Sequence, residues 1–425
     1  NYKTEFQTPF NPLDTVTVEF SGEGIFVVCD GNGKEYVRAK TKDGYSFLAG
    51  GAAGNQTIYL FDKNDCTQAK ANFMLDCHTE INDNDGFYNR MLSMLHWTMV
   101  RNYGNTQTVR YNGKFYEYFV RWLRDHVHTL KGMKYFYPEL KSGIDLYAEA
   151  QREDGMIWDN IMPRTPEPNM WDVRFSYGNF IELIEDSTYE FKRIPVEADV
   201  EYLFIEGLYY TWKATGDDDW MASRLDNALK ALNYSLTDEY RWSEKYKLIR
   251  RGFTIDTWDF QSEPDVEISG DPMVVRLGKT RFGIMFGDNT GTIAACRQLA
   301  EMLEYAGRND EADKIKKIGA EIKGRLDELA WNGEFYTHHV PEDPDVVRDL
   351  GVDQSKQVSL SNAYSLNRGL THEQCVSIIK TYQRIRQEMP ESSPGEWYAI
   401  YPPFERGFGG HATKWEYMNG GVTPI

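Results

Sequence analysis

The hydrophobic period of this chain changes near residue 80, and the two periods require two different kinds of layer. Up to about residue 75 apolar and polar residues alternate: Val16, Val18 and Phe20 interleave with Thr15, Thr17 and Glu19, the period of two that turns one strand face to a core. Ile25-Phe26-Val27-Val28 is a short apolar run, and Asp30-Gly31-Asn32-Gly33 reads as a hairpin turn into Glu35-Tyr36-Val37-Arg38. Tyr45-Ser46-Phe47-Leu48 and Thr57-Ile58-Tyr59-Leu60-Phe61 continue the pattern across the Gly-rich residues 50–54. That Gly stretch carries no Lys-Ser/Thr and opens no helix, so it is not a phosphate loop.

From about residue 85 the apolar steps become three and four. Ile315, Ile318, Ile322, Leu326 and Leu329 form one stripe with Lys and Glu opposite. Helix, turn and helix follow one another at Val200 to Trp212, residues 215–219, and Met221 to Leu236. They do so again at Ile293 to Tyr305 and Gly307-Arg308-Asn309-Asp310. Thr371-His372-Glu373-Gln374 is a capping box that starts a later helix. Asn82-Asp83-Asn84-Asp85-Gly86 lacks the ligand spacing of a calcium loop and reads as a capped helix start. The expectation is a β-rich, sandwich-like unit over residues 1–80 ahead of a mainly α body over residues 85–425, with helical hairpins every ~40 residues. No repeated sequence signature accompanies the hairpins, which disfavours a repeat solenoid.

Charge narrows the function classes. A net charge of -18 argues against nucleic acid or an anionic lipid surface. It also disfavours a polyanionic polysaccharide unless a local basic pocket overrides it. No run of ~18 apolar residues is present to span a membrane. The 11 Trp, 27 Tyr and 22 Phe suit a neutral carbohydrate, whose C–H faces pack on rings, as well as they suit a large aromatic core. Five scattered cysteines include no Cys-x-x-Cys, and the eight histidines form no ligand cluster, so no metal or cofactor is expected. A Cys66–Cys77 bridge is open in an oxidising compartment. Asn1 is not an initiator Met, and a trimmed periplasmic or secreted form is the expectation.

Two motifs carry chemistry. In Asp256-Thr257-Trp258-Asp259 two carboxylates flank an indole, between a basic apolar run and the helix-breaking Ser262-Glu263-Pro264-Asp265. A carboxyl beside indole is poorly hydrated and holds its proton to higher pH, as a general acid must. An ordinary acidic loop with an anchoring Trp is the plainer reading. In Phe119-Val120-Arg121-Trp122-Leu123-Arg124-Asp125-His126, the Arg124-Asp125 pair offers a fork of donors beside two acceptors, able to hold neighbouring sugar hydroxyls. Its plainer reading is an exposed ion pair worth about 0–1 kcal/mol, whose removal would spare stability. The polar connection at residues 153–160 adds Asp154 and Trp158 as secondary candidates.

Taken in order, these motifs resemble the six-hairpin glycosidases, glycoside hydrolases built on an (α/α)6 barrel. Phe119 to Asp125 is similar to the aromatic-x-x-Arg-Asp stretch by which glucoamylase-like enzymes grip the terminal sugar. Asp256 to Asp259 is similar to the Asp-x-Trp-Glu of glucoamylases and the Gly-Trp-Asp of trehalases and processing α-glucosidases. Lys414-Trp415-Glu416-Tyr417-Met418-Asn419-Gly420-Gly421 resembles their cleft-lining aromatic-x-x-Asn-Gly segment. The resemblance runs from about residue 85 to the C-terminus and implies exo-acting, inverting release of a terminal sugar, an α-glucoside foremost, from an oligosaccharide or polysaccharide. Asp259 is then the acid, Trp122, Arg124, Asp125, Asp256, Trp258, Trp415 and Asn419 line the cleft, and a base activates water ~6.5–9.5 Å from the acid. The family's base lies beyond the Asn-Gly segment, where this chain stops. Roughly ten helical segments are legible, against about twelve in a closed barrel. Either a last hairpin is missing, the favoured reading, or Glu416 is the base. A glycoside phosphorylase, with Arg250-Arg251 and Lys279-Thr280-Arg281 around a phosphate, and a non-catalytic sugar-binding protein are the alternatives.

Overall fold

In the computed structural model the described residues are 9–31, 33–51, 53–76, 81–95, 106–164, 181–184, 188–252, 277–278, 280–343, 352–389 and 400–402. They fall into two compact units. One comprises Asn1–Arg121, Asp125–Asp145 and Lys213–Gly216, the other Trp122–Arg124, Leu146–Trp212 and Asp217–Ile425.

The first unit opens with six strands: β1 (Thr15–Val18), β2 (Glu23–Cys29), β3 (Glu35–Lys42), β4 (Tyr45–Leu48), β5 (Gly54–Phe61) and β6 (Thr67–Leu75). They form an antiparallel sheet of order β3-β2-β5-β6 and a β1-β4 pair. Alternate residues of both sheets, Val16, Val18, Phe26, Val28, Phe47, Ile58 and Phe73, meet in one core. This is the sandwich-like packing that the period of two predicts. Helix α1 (Phe87–Leu95) begins where the Asn/Asp run ends, with Asp83 Oδ2 accepting the Tyr88 N–H at 3.0 Å and Asp85 Oδ1 that of Phe87 at 3.1 Å. A hairpin missing from the sequence expectation follows, β7 (Gln107–Tyr111) and β8 (Lys114–Tyr118). Its turn is Asn112-Gly113, both residues at positive φ (49° and 77°), the dipeptide that a two-residue hairpin turn prefers.

Helices dominate the remainder: α2 (Leu123–Met133), α3 (Lys141–Glu149), α4 (Val200–Thr215), α5 (Asp218–Thr237), α6 (Phe286–Tyr305), α7 (Asn309–Ala330), α8 (Leu360–Ser365) and α9 (His372–Glu388). Asp217 caps α5 through the Trp220 N–H, and the capping box at Thr371 and Gln374 starts α9. α7 buries Ile315, Ile322 and Leu326 along the predicted stripe and packs on α6. α4 and α6 are buried on nearly every side, as the central elements of a helical unit must be. Short strands join them: β9 (Asn160–Pro163), β10 (Ile181–Leu183) and β11 (Tyr189–Lys192) in one sheet, β12 (Trp242–Ser243) with β13 (Leu248–Ile249), and β14 (Arg251–Gly252), β15 (Phe282–Met285) and β16 (His339–Pro341) in another. No described helix is long and apolar enough to cross a membrane. Cys66 is an exposed free thiol, and Cys77 lies outside the described residues.

Candidate active site

Charged side chains collect inside the second unit where α2, α4 and α6 begin. Three strand-like segments lie side by side there. β9 pairs β11 with Asn160 opposite Lys192, and Trp122 bridges to Asn160. Leu123 N–H donates to the Asp159 carbonyl at 2.7 Å, and Asp159 N–H to the Lys192 carbonyl at 3.0 Å. The start of α2 is thereby fixed against the chain that leads into α4, and Arg124 faces the residues before that helix. In residues 196–201, Val196, Ala198 and Val200 alternate with Glu197, Asp199 and Glu201, and all six are buried.

Arg124 grips Asp199 with two prongs, Nε to Oδ2 at 2.6 Å and Nη2 to Oδ1 at 2.9 Å, while Nη2 also donates to Glu197 Oε2. Two parallel charge-assisted bonds fix both groups. Beneath them Arg193, 0% exposed, donates from Nη2 to the Glu197 carbonyl at 2.8 Å and to Glu201 Oε2 at 3.1 Å. Arg241, also buried, donates to the Pro195 carbonyl. On the far side Arg251 Nη1 stands 3.4 Å from Asp288 Oδ1 in the first turn of α6. Asn289 ties that turn to β13, accepting from Ile249 N–H at 2.8 Å and donating to the Ile249 carbonyl at 3.0 Å. Arg368 lies 5.3 Å from the Tyr202 ring centroid and donates to the Gly287 carbonyl at 3.2 Å. A Cβ at Gly291 would fall 2.3 Å from the Tyr202 ring, so only glycine lets α6 approach α4 this closely.

The cluster drives neighbouring carboxyls in opposite directions. Asp159, 4% exposed, is pushed up to about 7. Burial is the leading cause and the Asp199 charge adds to it, against the opposing pull of Arg193, the Ile194 N–H on Oδ2 at 2.9 Å, and Arg124. Asp199 is buried too, but the charge and hydrogen bonds of Arg124, with Arg251 and Arg193, overcome desolvation and hold it below the ordinary carboxylate range. Burial raises Glu201 despite Arg193 and Arg241. Burial, then repulsion from Arg193, lowers Arg241. Burial thus dominates at Asp159 and the Arg124 charge at Asp199, two opposite outcomes within one cluster.

The sequence-predicted residues distribute unevenly around this cluster. Arg124 stands within it, but its fork is taken up by Asp199 and Glu197, while Asp125 is exposed on the first turn of α2. The exposed Arg–Asp pair is thus corrected to a buried Arg–carboxylate network. Trp122 is half-buried against Ile194 and Val196. Trp158 is corrected from a sugar platform to a core residue: it is 1% exposed, stacks on Phe191 with centroids 6.0 Å apart, and donates from Nε1 to the Ala150 carbonyl at 2.7 Å. Asp154 is an exposed turn residue paired with Arg152 and accepting the Met156 N–H at 3.2 Å. Asp256, Trp258, Asp259, Trp415, Glu416 and Asn419 lie outside the described residues. Sequence reasoning passed over Asp159, beside its own candidate Trp158. It also passed over Glu197, Asp199 and Glu201, although three acids spaced by two at the head of an apolar helix were a readable signal. Among the described residues no group of His, Cys, Asp and Glu could hold a metal ion.

No protein-family model matches the chain, and no curated protein matches it. Among solved structures the chain is similar to a rhamnosidase from Klebsiella oxytoca with rhamnose bound, at 11% identity and a TM-score of 0.42, over 89% of this chain and 72% of that one. It is similar to a GH63 mannosylglycerate hydrolase from Thermus thermophilus, at 13% identity and 0.40, over 63% and 71%. A GH78 family rhamnosidase from a Bacillus species gives 11% identity and 0.42, over 94% of this chain and 42% of that one.

Proposed function

We propose that the chain is a glycoside hydrolase acting on a neutral oligosaccharide or polysaccharide. The observation that supports the reading is that Arg124, from the aromatic-x-x-Arg-Asp motif, lies in a charge cluster with Asp199 and Glu197 at the head of α4. Cleavage of a glycosidic bond needs one carboxyl that donates a proton and one that stays charged. The sequence motifs supply the rest. Asp259 is the general acid and Glu416 the candidate base, while Asp256, Trp258, Trp415 and Asn419 line the cleft with Trp122 and Asp125. Arg251, which stands 3.4 Å from Asp288, precedes Asp259 by eight positions in the sequence. Arg124 acts in this reading as a positioning residue for Asp199. The fold that the reading requires is an (α/α)6 barrel over residues 85–425, preceded in the sequence by a β-rich unit of residues 1–80, and the reaction is exo-acting, inverting release of a terminal α-glucoside.

A second assignment, Asp159 itself as the acid, is favoured by its proton affinity. Of the cations that the phosphorylase alternative invokes, Arg250 faces Glu342 at 2.7 Å and Arg251 faces Asp288, while Lys279 lies outside the described residues. The test is turnover of malto-oligosaccharides and aryl α-glucosides with and without phosphate, with the first anomer read by NMR. Phosphate-independent release of β-glucose is expected. Turnover that requires phosphate, or none on any neutral glycoside, contradicts the proposal.

A further inference from the structure

The short helix α8 carries an exposed ring beside the charged cluster. Its polar residues pin it in place. Asn362 accepts from Tyr336 N–H at 3.0 Å and donates to the Tyr336 carbonyl at 3.1 Å, and Ser365 Oγ lies 3.0 Å from Thr290 Oγ1 of α6. Ser361, Asn362 and Ser365 are buried, whereas Tyr364 is 46% exposed. The Arg368 guanidinium stands over two rings, 5.4 Å from the Tyr364 centroid and 5.3 Å from that of Tyr202. Arg368 is itself buried and bonded to the Gly287 carbonyl, one residue before Asp288. Burial raises the Tyr202 hydroxyl against the pull of Arg368, and the Asp199 and Asp288 charges add to the rise. Tyr364 is thus an exposed ring held, through Arg368 and Tyr202, next to the carboxylates of the cluster.

We infer that Tyr364 is the platform for a sugar unit adjoining the one that is cleaved, and that it selects a neutral oligosaccharide over a monosaccharide with a small leaving group. The flat C–H face of a pyranose packs on such a ring. The ring stands on an anchored helix and is steadied by the cation of Arg368, and a contact that sets specificity gains from such support. Tyr202 and Arg368 lie between Tyr364 and the carboxylates, so the ring meets a neighbour of the cleaved unit and not that unit itself. That role presupposes the proposed glycosidase activity and adds a residue that activity does not yet use. Tyr305 is more exposed still, at 61%, but it ends α6 about 28 Å along the helix axis from Phe286, which makes it a control.

The experiment compares the full chain with its Tyr364→Ala, Tyr364→Phe and Tyr305→Ala variants. Initial rates are measured on maltopentaose and on α-glucosyl fluoride, whose leaving group is too small to reach a neighbouring subsite. Maltopentaose is also titrated by calorimetry with each substitution placed in the Asp259→Asn background. Tyr364→Ala is expected to lower both the affinity and the kcat/KM for maltopentaose by roughly 10-fold, the scale of one lost aromatic contact. It should change α-glucosyl fluoride turnover by less than about 2-fold, since that substrate never meets the ring. Tyr364→Phe, which keeps the ring, and Tyr305→Ala should match the wild type on both substrates. Unchanged affinity and kcat/KM for maltopentaose in Tyr364→Ala, or an equal loss on the two substrates, would overturn the role of Tyr364 and leave the glycosidase reading intact. No binding or turnover of maltopentaose by any form would contradict the glycosidase reading itself, and this role with it.

Discussion

Asp159 and Asp199 lie in one cluster and should contribute to stability with opposite pH dependence. Asp159 has a folded value of about 7 against an ordinary 3.8, so the native state binds the extra proton between those limits. Stability from this group therefore falls as pH rises from about 4 to about 7. For Asp199, held low, stabilisation is present above the ordinary carboxylate value and is lost on acidification. Asp159→Asn keeps an acceptor for the Ile194 N–H but no longer titrates. Its thermal midpoint relative to wild type is expected to improve between about pH 4 and about pH 7 and to level off above that, and a constant offset across that range would refute the assignment. Arg124→Ala leaves Glu197 and Asp199 without their fork. We expect a loss of roughly 2–3 kcal/mol in chemical denaturation, below the value for a fully enclosed pair because a third of the Arg124 side chain meets water. Loss below ~0.5 kcal/mol would return the residue to the exposed ion pair that the sequence allowed. The Arg124 motif was legible as a motif, but its partners were not: Glu197 and Asp199 lie 73 and 75 positions away.

The helices show which patterns a sequence exposes. α7 was legible because one face meets water and the other the core, so the period of 3.6 is printed in residue type, and α9 was legible from the capping box at its start. α4 and α6 are buried on most sides, and their periods are weak. The acids in their first turns, Glu201 and Asp288, are both buried. The β7–β8 hairpin escaped because its alternation, with Val109, Tyr111, Tyr116 and Tyr118 buried, occupies only five residues on each side of Asn112-Gly113. Helix contact at α4 and α6 depends on Gly291. Gly291→Ala is expected to cost about 1–3 kcal/mol through overpacking against Tyr202. Tyr202→Leu in the Gly291→Ala background should recover part of that loss in a double-mutant cycle, since it removes the ring that the new methyl strikes. Full additivity of the two substitutions would show that they do not meet.

Across the whole molecule, a β-rich beginning and a helical continuation followed from hydrophobic period alone. The candidate site was legible only as separate motifs. Its described part is a buried charge network assembled from residues 124, 159, 193–201, 241, 251 and 288, which no local pattern links. The sequence-derived acid, Asp259, and the network's own proton-holding carboxyl, Asp159, make rival demands that one measurement separates. Asp259→Asn and Asp159→Asn are each assayed on an unactivated α-glucoside and on an aryl glucoside whose leaving group departs without a proton. Removal of the true acid should slow the unactivated substrate by ~10²–10⁴-fold and the activated one far less. The account predicts that pattern for Asp259→Asn, with Asp159→Asn slowing both substrates alike. The opposite assignment moves the acid to Asp159. Full activity of both variants on both substrates would contradict the claim that carboxylate proton transfer is what this chain performs.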